Sequence, residues 1–403
     1  MFKIKWLSVL FVPVVASCSQ IVSEEENTVL VENPLGGVGS KQIVEFTLPE
    51  KYKGWGLKDA DSEWTRNQYG ESVLLGAVSL LPGTSKYFEL VPHSNESSTD
   101  SIDLAHAELS VRTGGKWEGQ VYVAENYEFE EVDTFTSPPQ LTDHSYFLRY
   151  EGPGWESDQM GYRLYFDWRN AIDVFVKKDD RLALSYVGQD GYDSYHELSD
   201  WGGDALKVGK SLGVGALGRV VGDHVLHFQH VENTQYQLVA NSRYHAAFRV
   251  NYSGWANDEK GSNSVDVSTY YRIDAYDPTT HIHVELSQPI DNLVAGLVAH
   301  ENMALINEIE GDWGVVATWG EQSVLGEGDK LGLALFYKTA EAESLLRGDF
   351  DHLVVFKPSR TIDYKILAIW PERHKKIDSA ESFRAYLKEK LFAINNPPSI
   401  RIQ

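Results

Sequence analysis

The 403-residue sequence holds a single cysteine, Cys18. One cysteine rules out a disulfide framework within the chain, a cysteine-rich zinc site and an iron–sulfur cluster. Basic residues are scarce too. Only 36 Lys and Arg stand against 59 Asp and Glu, a formal net charge of −23. Phosphate binding rests on clustered Lys and Arg, so nucleic acid is excluded as a general partner. After Ala16 no apolar run is long enough to cross a bilayer as a helix. There is no GxSxG elbow, P-loop or HExxH motif. There is also no strand–helix alternation of the kind that builds Rossmann or TIM-barrel enzymes. Aromatics are plentiful at 12%, which supplies enough burial to exclude a disordered chain.

The N-terminus explains the lone cysteine. Lys3 and Lys5 precede an apolar run from Trp6 to Ala16, followed by Val15-Ala16-Ser17-Cys18. This is a signal peptide whose end resembles the bacterial lipobox, with Cys18 as the lipidated residue of the mature protein. The expected organisation is a signal peptide over 1–17 and an acidic flexible tether over 18–41, with Glu24-Glu25-Glu26 inside it. A β domain follows over 42–395, divisible into 42–140 and 141–395. Acyl chains on Cys18 would hold an outer-membrane lipoprotein on the periplasmic or cell-surface side, with the membrane as a partner.

From residue 42 onward the dominant period is two. Stretches 42–48, 106–111, 162–167, 236–239, 245–250, 269–276, 281–286, 331–337 and 364–369 alternate apolar and polar side chains. Such strand density over more than 300 residues predicts an all-β fold, with large antiparallel sheets packed as a sandwich. Helices are few. Asp378-Ser379-Ala380-Glu381 reads as an acidic capping box, and Phe383, Leu387 and Leu391 follow at helical spacing, which predicts a C-terminal helix over 379–393. Residues 340–347 read as one short helix, and Pro397-Pro398 as the end of the ordered chain. Residues 147–155 with Tyr162-Arg163 echo 248–255 with Tyr271-Arg272, which suggests two related strand pairs in one sheet system.

Two segments concentrate polar and aromatic side chains. In 150–163, Trp155 follows a Gly-Pro-Gly turn and could offer its ring to a sugar face, or else plug the core. Glu156 and Asp158 could bond sugar hydroxyls, and Arg163 and Arg169 could grip a carboxylate or sulfate. In 195–209, His196, Asp200, Asp204 and Lys207 form a candidate catalytic or binding set beside Trp201. His300 closes an apolar run and could project into a cleft. Arg249 and Arg272 are further anion-gripping candidates. His224, His227 and His230, and the pair His281-x-His283 on one strand face, raise the question of a metal. No third ligand stands at diagnostic spacing, which favours a structural role.

The segments Glu151-Gly-Pro-Gly-Trp-Glu-Ser-Asp158, 161–175, His196-Glu-Leu-Ser-Asp-Trp-Gly202 and Leu206-Lys-Val-Gly209 resemble the DUF4861 family over about 40–393. That family resembles oligosaccharide dehydratases acting on the algal polysaccharide ulvan. The resemblance implies removal of the 4-hydroxyl as water from a non-reducing-end uronic acid, leaving a 4,5-unsaturated uronate. By analogy the sandwich is a galactose-mutarotase-like supersandwich. Such an elimination needs a neutraliser for the carboxylate, a base for the C5 proton and an acid for the departing hydroxyl. Arg163, Arg249 or Arg272 could neutralise, and His196, Tyr162 or His300 could act as base and acid. A divalent cation could replace an arginine; no other cofactor is implied. Two other classes fit the same residues. One is a surface glycan-binding lipoprotein that uses Trp155 and Trp201. The other is a glycoside hydrolase with a carboxylate pair among Glu156, Asp158, Asp200 and Asp204. An anionic substrate also demands a local basic cleft, expected around Arg163 and His196, against the global charge.

Overall fold

The computed structural model describes residues 27–34, 41–92, 102–191 and 194–403. The all-β expectation holds: every ladder between named strands is antiparallel, and one α-helix stands among the described residues. A nine-stranded sheet dominates. Its strand order is Thr134–Thr136, Asn233–Asn241, His245–Trp255, Val265–Asp274, Thr280–Leu286, Thr361–Ile369, Leu331–Lys338, Trp313–Gly320 and Leu305–Glu310. Two five-stranded sheets pack on one face of it. One contains Ala105–Glu108, Gly154–Ser157, Gly161–Leu164, Ile172–Lys177 and Gly202–Asp204. The other contains Val214–Val221, Leu293–Val298 and Asp351–Phe356 at its centre. A bridge between Ile172 and Gly213 ties the two.

The alternation seen in the sequence divides the two faces of the large sheet. Tyr271, Ile273, Ile282, Val284, Tyr364 and Ile366 point into the sandwich and join one continuous core with Val174, Leu297 and Val354. Their neighbours Phe336, Leu367 and Ile369 face the other way, where Phe383, Leu387 and Leu391 of helix Ala380–Asn395 cover them. Ser379 caps this helix, but its capping-box partner is Ser382, whose hydroxyl accepts from the Ser379 N–H at 3.0 Å, rather than Glu381.

A smaller sandwich precedes the main one. A four-stranded sheet packs on a three-stranded one, Lys41–Phe46, Ser72–Ser79 and Ser62–Arg66, around Val29, Phe46, Leu74 and Phe88. Three expectations are corrected here. Within the predicted tether, Thr28–Glu32 is a strand paired on both edges, because Val29 and Val31 bury completely. The chain continues past Pro398 as strand Ser399–Ile402, which pairs with Thr28–Glu32. Residues Ala342–Arg347 form an edge strand on Asp351–Phe356 instead of a helix. Cys18, the signal peptide and the Glu24-Glu25-Glu26 run lie outside the described residues. The internal echo divides between sheets: Tyr162-Arg163 sits in a five-stranded sheet and Tyr271-Arg272 in the nine-stranded one, and residues 149–151 form a 3-10 turn, not a strand.

Candidate functional site

Where the helix ends, the outer face of the nine-stranded sheet turns polar. Period two places Tyr270, Arg272 and Asp274 on this face, with His281 and His283 on the next strand and Asp363 and Lys365 on the one after. Register lines them up across the strands. Arg272 stands opposite His281, and His281 opposite Lys365. In the adjacent row Arg249 faces Tyr270, Tyr270 faces His283, and His283 faces Asp363. With Lys338, Trp313 and, from the small sandwich, Glu45 and Gln68, these residues other than Arg249 line a cleft of about 380 Å³. That lies in the range of small-ligand sites.

Most charges in the cleft are balanced. Arg272 donates to Asp274 Oδ1 at 2.9 Å and to Glu45 Oε2 at 2.5 Å. Lys338 donates to Asp363 Oδ2 at 2.7 Å and Glu341 Oε1 at 3.1 Å. His283 Nδ1 lies 2.7 Å from Asp363 Oδ1, and this bond raises the imidazole above its ordinary value. Arg272 pulls the Asp274 carboxyl far below the usual carboxylate range against the effect of its burial. Lys365 is different. Among the described residues no carboxylate stands within ion-pairing distance of its ammonium, whose contact is His281, with Nζ 2.8 Å from Nδ1. Burial pushes Lys365 down to about 7, helped by Arg272 and opposed by Asp277 and Asp274. Burial and the neighbouring ammonium push His281 down to about 3, so its ring is neutral. The Tyr270 hydroxyl is buried with no partner among the described residues. A poised amine, a neutral imidazole, an aspartate-backed imidazole and a free phenol make a set suited to proton transfer next to an anion.

The Arg163 region is built differently. Gly152 lets this segment pack tightly, since a Cβ there would lie 1.9 Å from the Leu164 carbonyl oxygen. Arg163 is buried and donates to Asp173 and Asp204, each at 2.8 Å, and to Tyr165 at 2.7 Å. Arg169 binds Asp167 and Glu151 alongside. Burial, reinforced by Asp173, raises the Asp204 carboxyl well above its ordinary value. The carboxylates outnumber the guanidiniums, so the basic cleft expected around Arg163 and His196 is not formed there.

The predicted site residues fall into separate places. Arg163 and His196 do meet on one carboxylate, with His196 Nε2 3.7 Å from Asp204 Oδ2, while the His196 ring stacks on Tyr195. Tyr162 is wholly buried; its hydroxyl donates to the Pro278 carbonyl at 2.6 Å and accepts from the Ala368 N–H at 2.9 Å, so it is a core tie. Trp155 is 1% exposed, stacked on Tyr162 and bonded to Thr280, which leaves no face for a sugar. Glu156 is consumed by Lys177 and the N–H groups of Ala183 and Leu184. Asp158 accepts from the Tyr276 N–H at 2.6 Å. With both carboxylates tied to the fold, the hydrolase pair loses two of its four candidates. Asp200 is exposed beside Arg181, and Trp201 is half-buried against Phe175. Lys207 is exposed, and its charge adds to burial in lowering the half-buried His300. Arg272 lies in the cleft and Arg249 at its edge, donating to the Gln68 carbonyl at 2.7 Å.

Sequence reasoning missed Tyr270, Lys338, Asp363 and Lys365, and set His281 and His283 aside as structural. The usable signal was polar side chains at period two on strands whose other face is apolar.

The chain belongs to the DUF4861 family: the model of that family, described as a domain of unknown function, matches residues 61–400. Two solved structures from Enterococcus faecalis are similar over most of the chain. An alpha-mannosidase from strain V583 has 10% identity and a TM-score of 0.39, covering 94% of this chain and 46% of that one. A protein of glycosyl hydrolase family 38 has 9% identity and a TM-score of 0.43, covering 95% and 48%. The chain thus spans less than half the length of either. No curated protein matches it.

Proposed function

We propose that the protein is a carbohydrate-active lyase of the dehydratase type. It removes water from the non-reducing-end uronic acid of an anionic, ulvan-like oligosaccharide to give a 4,5-unsaturated uronate. The observation that carries this reading is Lys365, a part-buried ammonium in a cleft with an imidazole but, among the described residues, no carboxylate in ion-pairing distance. A cation largely withdrawn from water without a counter-ion is costly, and a substrate carboxylate arriving there supplies one. The other cleft cations already hold carboxylates, so the demand for an anion is local even though the chain is acidic.

The roles follow from position. Lys365 clamps the uronate carboxylate and stabilises the charge that builds when the C5 proton leaves. His281 takes that proton: the bound carboxylate offsets the ammonium charge that depresses the ring and makes it a stronger base. His283, backed by Asp363, donates to the departing hydroxyl. Arg272 stays bound to Glu45 and Asp274 and fixes the row. The residues that meet at Asp204 are a structural network in this reading. Lipidation of Cys18 would place the enzyme on the outer membrane, on the periplasmic or cell-surface side.

Incubation with uronate-terminated oligosaccharides, followed by mass spectrometry, tests the reading. Loss of one water is expected. Cleavage into shorter sugars would identify a hydrolase, and unchanged glycan across a panel would overturn catalysis.

A further inference from the structure

The small sandwich reaches the cleft through the turn that joins strands Ser62–Arg66 and Ser72–Ser79. Asn67 is buried and organises this turn: its Oδ1 accepts from the N–H groups of Tyr69 and Glu71, each at 3.0 Å. Arg66 donates to the Gly70 carbonyl at 2.7 Å, and Arg249 reaches across from the large sheet to the Gln68 carbonyl. Gly70 takes a φ of +76°, a left-handed conformation that suits glycine. The turn is therefore held rigidly from both sandwiches.

It presents one large side chain. Tyr69 is 62% exposed, and its ring meets His283 edge-on at 5.5 Å. Trp313, the indole lining the same cleft, is differently placed, with the ammoniums of Lys338 and Lys365 over its ring at 5.9 and 5.6 Å. Its face supports cations, whereas the ring of Tyr69 stands open at the rim. A fixed aromatic beside a proton-transfer site has the chemistry for stacking on the apolar C–H face of a sugar.

We infer that Tyr69 is a specificity-determining residue that stacks on the second sugar unit, so that the cleft selects oligosaccharides over free uronic acids. This rests on the proposed sugar-binding role of the cleft. The N-terminal sandwich then forms one wall of the site.

Isothermal titration of wild type, Tyr69→Ala and Tyr69→Phe tests the inference, with a glucuronate-terminated tetrasaccharide and methyl glucuronide as ligands. Wild type is expected to prefer the tetrasaccharide. In Tyr69→Ala that preference falls roughly three- to tenfold, and Tyr69→Phe keeps most of it. Equal weakening toward both ligands would assign the ring to positioning His283 and overturn the inference, as would an unchanged preference or a wild type that binds neither ligand. Dehydration is followed in the same samples. Tetrasaccharide binding without water loss would defeat the dehydratase reading while the affinities still judge Tyr69.

Discussion

Replacing Lys365 with methionine separates what its charge costs the fold from what it does in the cleft. The ammonium titrates at about 7 instead of the ordinary 10.5, chiefly through burial. At about 1.36 kcal/mol per pH unit, keeping it charged at pH 6 costs the folded state on the order of 5 kcal/mol. The sign follows from proton binding. Between about pH 7 and 10 the unfolded chain binds the proton that the folded chain has released, so this group's contribution to stability rises with pH and is poorest below 7. Methionine keeps most of the stem and removes the charge, but leaves His281 without its partner, a loss of about 1 kcal/mol. Lys365→Met is therefore expected to be more stable than wild type by about 4 kcal/mol at pH 6, an advantage that shrinks by roughly 2–3 kcal/mol at pH 9. Urea melts at the two pH values measure both, and the activity assay should show turnover lost in the stabilised variant. A variant less stable than wild type by the same margin at both pH values would refute the reasoning, because the amine would then be a stabilising group.

Other consequences concern the pH profile and the core. Because the free enzyme must carry the Lys365 charge to capture a carboxylate, kcat/KM should fall as pH rises through about 7; initial rates between about pH 5 and 9 check this, and a flat profile would contradict it. Arg163→Met strands Asp173 and Asp204 in the interior and is expected to cost about 3–5 kcal/mol in a denaturation curve. Trp155→Ala opens a cavity beneath Tyr162 and Phe248 and should cost a similar 3–5 kcal/mol. A stable Trp155→Ala variant with selectively lost glycan affinity would restore the ring as a binding platform.

The strands of the large sheet were legible because one face of each is apolar, and the helix was legible through its cap and the spacing of Phe383, Leu387 and Leu391. Residues 342–347 misled because Ala, Glu and Leu favour helix, and only pairing with Asp351–Phe356 overrides that preference. Strands Thr28–Glu32 and Ser399–Ile402 were hidden because each needs the other end of the chain to pair with. The Gly-Pro-Gly segment left Trp155 open as a sugar platform or a core plug, because glycine marks turns and close packing alike; here it marks packing. Arg272 in the cleft and Arg249 at its edge stood out as cations, but nothing local joins Arg272, His281 and Lys365. Their row exists only in the sheet register.

The central claim is that the outer face of the nine-stranded sheet, at Lys365, receives a uronate. A structure of the protein with a bound glucuronate-terminated oligosaccharide tests it most directly. The account predicts the terminal carboxylate within hydrogen-bond distance of Lys365 Nζ, with its ring between His281 and His283. A ligand seated instead at the Arg163–Asp204–His196 network, with the cleft empty, would contradict it.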